Sequence, residues 1–143
     1  MMTIPSSTRR VVKQALTWTA LAGATLVMGQ ATALAEDTVS VLMKQSLGDM
    51  AGKEATVLTV DYAPGAASDP HVHPGSVFVY VLEGTVVAQS EGEQSMTYTK
   101  GQSWYESPKK PHVVSRNASV TESAKILVFL LSGKGEALKV PVK

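Results

Sequence analysis

Short runs of β-prone residues, separated by turns, fill the chain from Thr38 to Ser132. The runs are rich in valine, threonine and tyrosine, and pairs such as Pro64-Gly65 and Lys100-Gly101 stand at their ends. No segment shows a convincing helical pattern. A turn about every ten residues is typical of an antiparallel sandwich or barrel, and not of alternating β–α units. We therefore predict an all-β domain of six to eight antiparallel strands. The predicted strands cover residues 39–45, 55–62, 76–84, 85–92, 94–101, 102–107, 112–117 and 124–132.

The last of these runs differs from the others because residues 126–131 are apolar on both faces. A strand of this kind is buried on both sides. We expect it to be central in the fold or to pack against another subunit.

The first 35 residues have the layout of a secretory signal peptide. Arg9, Arg10 and Lys13 precede an apolar run of 15 residues, and no acidic residue occurs before Glu36. Small residues at Ala33-Leu34-Ala35 match the cleavage pattern of exported proteins. We predict a signal peptide over residues 1–35, cleaved after Ala35, and a mature domain over residues 36–143 that is periplasmic or secreted.

Two further interpretations of the same segment remain open. An uncleaved N-terminal anchor is the alternative, although a membrane span needs about 20 apolar residues. The stretch Thr8-Arg9-Arg10-Val11-Val12-Lys13 also partly matches a twin-arginine signal. In that case the domain would cross the membrane already folded. We expect no stable membrane span after processing.

Charge and composition exclude several classes of function. Removal of residues 1–35 leaves 10 Lys and Arg against 12 Asp and Glu, a net charge of −2. We expect no nucleic-acid partner, because phosphate binding calls for a basic surface. The chain has no cysteine, which rules out disulfides, thiolate metal ligands and a cysteine nucleophile.

The three histidines, His71, His73 and His112, all lie in the mature domain. Residues two apart on a strand face the same side, so His71 and His73 can direct both imidazoles at one point. A histidine pair of this kind is nevertheless also found in purely structural roles. His112 is the only remaining histidine that could complete a three-nitrogen metal site from another strand.

The sequence around the histidine pair resembles the first motif of small single-domain cupins. That motif has a glycine, two histidines separated by one residue, a glutamate and a second glycine, and here it falls on Gly65, His71, His73 and Gly84. Val77 occupies the glutamate position, so the family's acidic ligand is missing there.

The second cupin motif follows about 20 residues later. Its glycine, proline, histidine and asparagine fall on Gly101, Pro108, His112 and Asn117, with the asparagine one residue late. Lys109 replaces a glycine that the family places in this turn, which suggests a turn of different shape. The resemblance implies an antiparallel cupin β-barrel, also called a double-stranded β-helix or jelly roll, which is expected to be a homodimer.

The resemblance implies a divalent metal bound by His71, His73 and His112. Some cupin dioxygenases bind iron with three histidines and no acid, so iron or manganese is expected first, with zinc, nickel or copper as alternatives. Glu106 could replace the lost acidic ligand or act as a base, although an exposed strand glutamate is the commoner case. Three neutral imidazoles would leave the charge of the metal uncancelled and would favour an anionic ligand.

These features lead to three hypotheses for function. The first is an exported, metal-dependent dioxygenase-like enzyme acting on a small anionic or enolic molecule. The second is a non-catalytic protein that binds a small ligand or a metal, and the third is a cupin with a vestigial site. Aromatic side chains of four residues could line a substrate pocket, or could simply fill the barrel. These residues are Phe78, Tyr80, Trp104 and Tyr105.

Overall fold

The structure is a computed structural model that describes residues 36–142. This part of the chain is all β, which confirms the predicted fold class. The ten strands are β1 (Asp37–Ser46), β2 (Lys53–Tyr62), β3 (His71–Val72), β4 (Ser76–Glu83), β5 (Thr85–Ser90), β6 (Met96–Thr99), β7 (Ser103–Glu106), β8 (His112–Asn117), β9 (Ala124–Gly133) and β10 (Val140–Pro141).

All eight predicted strands are present, but the expected number of six to eight is too low. The two additional strands, β3 and β10, have two residues each and pair with each other. So short a segment gives no local alternation that a sequence pattern could reveal. The predicted signal peptide lies outside the described residues. Within residues 36–142 no helix is long and apolar enough to cross a membrane.

The strands form two five-stranded sheets. The first has the order β1-β2-β9-β4-β7 and the second has the order β10-β3-β8-β5-β6. Every pairing is antiparallel. Strands β3 and β8, which carry His71 and His112, therefore belong to the second sheet, and β4 and β7 belong to the first.

The core consists of alternate residues of the central strands. Ile126, Val128 and Leu130 of β9 are buried, together with inward residues of β2 and β4. Full burial of each such side chain contributes about 1.5–3 kcal/mol. Strand β9 lies between β2 and β4, as expected for a central strand. Its intervening apolar residues face outward, and Phe129 is 39% exposed.

Two turns next to the site depend on unusual backbone geometry. A Cβ atom at Gly75 would lie 2.1 Å from the carbonyl oxygen of Leu131, so the turn between His73 and β4 requires glycine. The β7–β8 turn contains Lys109 at a φ of 61°. Lys109 thus adopts the left-handed backbone conformation that favours glycine, the residue that the cupin motif has in this turn. The Lys109 amide donates a 2.7 Å hydrogen bond to the carbonyl of His73.

Candidate metal centre and cavity

The fold brings the three histidines together. His71 of β3 pairs directly with His112 of β8, and His73 follows β3 by one residue. The ring centroids lie 4.8 Å apart for His71 and His73, 5.7 Å for His71 and His112, and 5.6 Å for His73 and His112. His71 and His112 are buried. The three imidazoles therefore form one cluster between the sheets.

Backbone carbonyls orient two of these rings. Nδ1 of His71 lies 2.6 Å from the carbonyl oxygen of Asp69, and Nδ1 of His73 lies 2.6 Å from that of Leu138. A carbonyl can only accept, so each Nδ1 carries the proton and, in a neutral ring, each Nε2 carries a lone pair. The two Nε2 atoms are 3.1 Å apart. Two acceptors at this distance repel each other unless a cation or a proton lies between them.

A fourth group, the carboxylate of Glu106, completes the cluster. Glu106 ends β7 and is only 6% exposed, so the more common case of an exposed strand glutamate does not apply here. Its Oε2 atom lies 3.3 Å from Nε2 of His73 and 3.4 Å from Nε2 of His112. Its Oε1 atom accepts a 2.8 Å hydrogen bond from Nε1 of Trp104.

The position of Glu106 explains how the site has a carboxylate without the motif glutamate. In the β4–β7 pairing, Val77 lies directly opposite Glu106. Side chains opposed in this way lie on the same face of the sheet with Cβ atoms about 4.5–5.5 Å apart. The carboxylate thus comes from the neighbouring strand, at the point facing the residue that took the family's acidic position.

The charges of the cluster suit a cation. Burial lowers the pKa of both His71 and His112 because desolvation disfavours the charged imidazolium. Burial alone would raise the pKa of Glu106. Contacts with His73, the charge that His112 carries when it is protonated at acidic pH, and the hydrogen bond from Trp104 outweigh burial, so the pKa of Glu106 lies below its usual value. Near neutral pH, His71 and His112 are therefore neutral while the carboxylate is charged.

One buried nitrogen has no hydrogen-bond partner. Nε2 of His112 is fully enclosed and makes no hydrogen bond, although it lies 3.4 Å from the Glu106 carboxylate. Buried polar atoms are almost always satisfied. Within residues 36–142, no group of three or more His, Asp or Glu side chains surrounds a common point in the way that metal binding requires. The donor atoms instead contact one another directly.

The cluster opens into a cavity of about 380 Å³ between the sheets. His71, His73 and Glu106 form part of its lining, and valine, leucine and isoleucine side chains form most of the walls. Small-molecule sites are concave and largely apolar with a few polar groups, at volumes of roughly 300–1,000 Å³. The cavity is therefore at the small end of the range for a ligand site.

A second polar group lines the same cavity. The hydroxyl of Tyr62 lies 3.0 Å from both Ser68 Oγ and Ser115 Oγ, and Ser68 Oγ donates a 2.5 Å hydrogen bond to Asp37. Lys139 Nζ lies 3.6 Å from the same Asp37 oxygen. Burial raises the pKa of Tyr62, which keeps its hydroxyl protonated.

None of the four aromatic residues that could line a pocket or fill the barrel lines this cavity, and three of them do not fill the barrel either. Phe78, Tyr80 and Tyr105 are 45–50% exposed on the outer face of the first sheet. Trp104 is partly buried, stacks on Tyr98 at 4.4 Å, and reaches the site only through Glu106. On β4 successive side chains point to opposite faces of the sheet. Val77 and Val79 point inward and line the cavity, while Phe78 and Tyr80 point outward.

Sequence patterns missed the C-terminal segment that covers the cluster. Leu138 and Lys139 line the cavity, and Leu138 supplies the carbonyl that orients His73. In β10, Pro141 lies opposite His71. No motif or periodicity marks these residues, so no sequence signal could have identified them.

Solved structures with the same fold include several cupins. A conserved protein with a double-stranded β-helix domain from Klebsiella pneumoniae is 18% identical, with 76% of this chain and 85% of that chain covered and a TM-score of 0.59. A cupin-like protein from Thermotoga maritima is 20% identical, with coverages of 74% and 75% and a TM-score of 0.58. The DMSP lyase DddQ from Ruegeria pomeroyi is 20% identical, with a TM-score of 0.54.

The lyase comparison covers 62% of this chain and 43% of that chain, so the chain spans less than half the length of the enzyme. At these identities the likeness shows the fold alone.

A comparison with curated proteins finds no match. Residues 58–130, about half of the chain, match the family described as Cupin domain. The chain therefore belongs to the cupin domain family.

Proposed function

We propose that this protein binds one divalent metal ion through Nε2 of His71, His73 and His112 and the carboxylate of Glu106. The observation that carries the proposal is the pair of facing Nε2 atoms of His71 and His73, 3.1 Å apart, each with its Nδ1 at a backbone carbonyl. Metal-binding histidines almost always donate their other ring N–H to a carbonyl or carboxylate. A cation between the two lone pairs would remove their repulsion.

The spacing of the donor atoms fits this proposal. Ligand atoms about 2.0–2.2 Å from one ion lie roughly 2.8–3.6 Å from each other, the lower part of the range for octahedral and the upper part for tetrahedral geometry. The separations in the structure are 3.1 Å for His71 and His73, 3.3 Å for His73 and Glu106, and 3.4 Å for His112 and Glu106. Small side-chain adjustments would therefore direct these atoms at a common centre. The unsatisfied Nε2 of His112 would gain a partner in the same step.

The donor set limits the metal and the ligand. Three imidazoles and one carboxylate suit iron or manganese, with zinc, nickel and copper as alternatives. The single charge of Glu106 would leave one positive charge on a divalent site, which favours a monoanionic ligand. The bound ion would supply Lewis-acid or dioxygen chemistry at the end of the cavity. The chain's own residues would hold the anionic group there and exclude water with their apolar walls.

The activity that we propose is dioxygenase-like oxidation of a small anionic or enolic organic molecule. Two features support this activity: a donor set of imidazoles and a carboxylate, and an apolar cavity that opens onto these donors. The second candidate is a non-catalytic protein that binds a ligand in the same cavity. The contacts of Glu106 with His73 and His112 favour it, because they connect the side chains of the cluster without a metal ion.

Export to the periplasm or outside the cell is also proposed, since it depends on the predicted signal peptide.

A homodimer is proposed through the outer face of the first sheet. One row of opposed residues crosses all five strands there: Met43, Val57, Phe129, Phe78 and Tyr105. Phe78 and Tyr105 are each 50% exposed. Monomers seldom expose apolar patches larger than a few hundred Å², and a flat face of this kind can pair with its own copy.

The proposed function is tested by metal content. The mature protein, purified and loaded with iron, manganese or zinc in turn, should retain about one metal ion per chain. His71→Ala, His73→Ala, His112→Ala and Glu106→Gln should each lower retention strongly, and the surface variant Lys134→Ala should not. Unchanged metal content in the four site variants would refute the site.

Dioxygen consumption separates the two candidate functions. The iron-loaded protein would be assayed with a panel of enols, diketones and phenolic compounds. Consumption that depends on substrate and is lost in Glu106→Gln supports the enzyme. The absence of consumption with every member of the panel supports the non-catalytic protein, whether or not metal is retained.

A further inference from the structure

The polar group around Tyr62, which lines the same cavity as the metal-site residues, has a defined direction of hydrogen bonding. Ser68 donates to the Asp37 carboxylate, so its oxygen is free to accept from Tyr62. The Tyr62 hydroxyl has one proton, and it therefore accepts from Ser115. Each hydroxyl therefore donates to the next group: Ser115 to Tyr62, Tyr62 to Ser68, and Ser68 to Asp37.

This direction leaves Asp37 as an acceptor at the cavity. Both oxygens of an ionised carboxylate can accept more than one hydrogen bond, and the contact with Ser68 uses only part of this capacity. Lys139 Nζ, at 3.6 Å, is too far from Asp37 for a hydrogen bond. Both side chains line the cavity. Asp37 and Lys139 thus present an acceptor and a donor that a single polar group could join.

The Asp37–Lys139 pair and the metal-site residues His71, His73 and Glu106 line the same cavity. Lys139 directly follows Leu138, whose carbonyl oxygen lies 2.6 Å from Nδ1 of His73. The other walls of the cavity are apolar and include Val60, Val79 and Val128. The volume of about 380 Å³ is enough for roughly a dozen non-hydrogen atoms if each takes about the 30 Å³ share of a water molecule.

We propose, as an inference that rests on the proposed metal site, that the cavity selects a hydroxylated organic acid whose hydroxyl lies between Asp37 and Lys139. The carboxylate end rests on the proposed metal site, and the apolar middle of the molecule contacts the valine walls. The hydroxyl donates to Asp37 and accepts from Lys139. A purely apolar end would leave the Asp37 carboxylate desolvated without a new partner. A cationic end would have to compete with Lys139 for Asp37.

The test compares two probes of equal chain length, octanoate and 8-hydroxyoctanoate, by titration calorimetry. Zinc-loaded protein is used because zinc does not undergo redox turnover. Hydrogen bonds to charged groups should give the hydroxylated probe an advantage of roughly tenfold in affinity. Asp37→Asn and Lys139→Gln should each reduce this advantage to within about threefold, measured against the same tenfold scale.

Asp61→Asn is the matched control. Asp61 makes a 3.0 Å ion pair with Lys125 on the outer face of the same sheet, so the same change removes a similar pair outside the cavity. This variant should keep the preference of the parent. Retained stabilisation by zinc in the Asp37 and Lys139 variants would show that they remain folded.

The outcomes separate this inference from the proposed function. Equal binding of the two probes, or an unchanged preference in Asp37→Asn and Lys139→Gln, overturns the hydroxyl site while the metal site stands. Retained zinc without binding of either probe also overturns it. Failure to bind any metal overturns the proposed function. In that case the two probes are compared on the metal-free protein. Tighter binding of 8-hydroxyoctanoate supports the hydroxyl site, and equal binding overturns it.

Discussion

Exchange of Val77 and Glu106 tests whether the carboxylate of the site can come from either of two opposing strands. The two residues pair directly across β4 and β7, and both line the cavity. Glu106→Val should remove the carboxylate, Val77→Glu should add a second one, and the double variant should move one carboxylate from β7 to β4. In the double variant the site regains its charge from the family's usual position.

The magnitudes follow from the contacts. Two carboxylates about 5 Å apart repel by about 3 kcal/mol at an effective dielectric constant of roughly 20, so Val77→Glu alone should destabilise the metal-free protein by that order. Glu106→Val leaves Nε1 of Trp104 without its acceptor, at a cost of about 1–3 kcal/mol. It should also weaken metal binding at least tenfold, or about 1.4 kcal/mol. The double variant should recover most of the lost metal affinity.

Chelator-competition titration with zinc and manganese gives the affinities, and thermal unfolding with and without metal gives the stabilities. Glu54→Gln is the control, since Glu54 is the other buried glutamate of the described residues and pairs with Lys44 instead of a histidine. Its metal affinity should equal that of the parent. Parent-like affinity in Glu106→Val, or a double variant that binds no better than Glu106→Val, would refute the reasoning.

Three further predictions concern the turn, the pH dependence and the outer face. Lys109→Gly should stabilise the protein by about 0.5–1 kcal/mol because lysine at a φ of 61° is strained, and an unchanged or lower Tm would contradict this. The metal-free protein should lose stability as the pH falls below about 6.5, because the lowered pKa values of His71 and His112 let the unfolded chain bind more protons. Equal urea midpoints at about pH 7.5 and 5.5 would exclude this effect. Phe78→Ser should shift the mass measured by light scattering from dimer to monomer, while Val120→Ser, at an isolated site that is 81% exposed, should not. A parent that is already monomeric would rule out the dimer.

The sequence alone determined the strands and their turns. Alternation of apolar and polar residues is local, so each run of four or more residues could be identified without knowing its partners. The spacing of His71 and His73 likewise required both rings to lie on one side of a strand. The order of the two cupin motifs indicated that His112 belongs with them. The structure places all three rings in one cluster.

Only the tertiary structure decided which acidic residue joins the histidines. Glu106 reaches the cluster because β4 and β7 pair in a register that places it opposite Val77. Local periodicity does not encode register, and a shift of one residue would send the side chain to the opposite face. The same ambiguity explains why Phe78 and Tyr80 were candidates for the interior of the barrel although they face outward. Their alternation with valine was visible, but the direction of the core was not.

The second polar group of the cavity depended on tertiary structure even more strongly. Asp37, Tyr62, Ser115 and Lys139 come from four separate segments that span most of the described chain. Each is an ordinary polar residue in its local sequence, with no spacing that links it to the others. The two sheets bring them together because long-range strand pairing and closure of the barrel fix their positions, and these contacts have no counterpart in any short stretch of sequence.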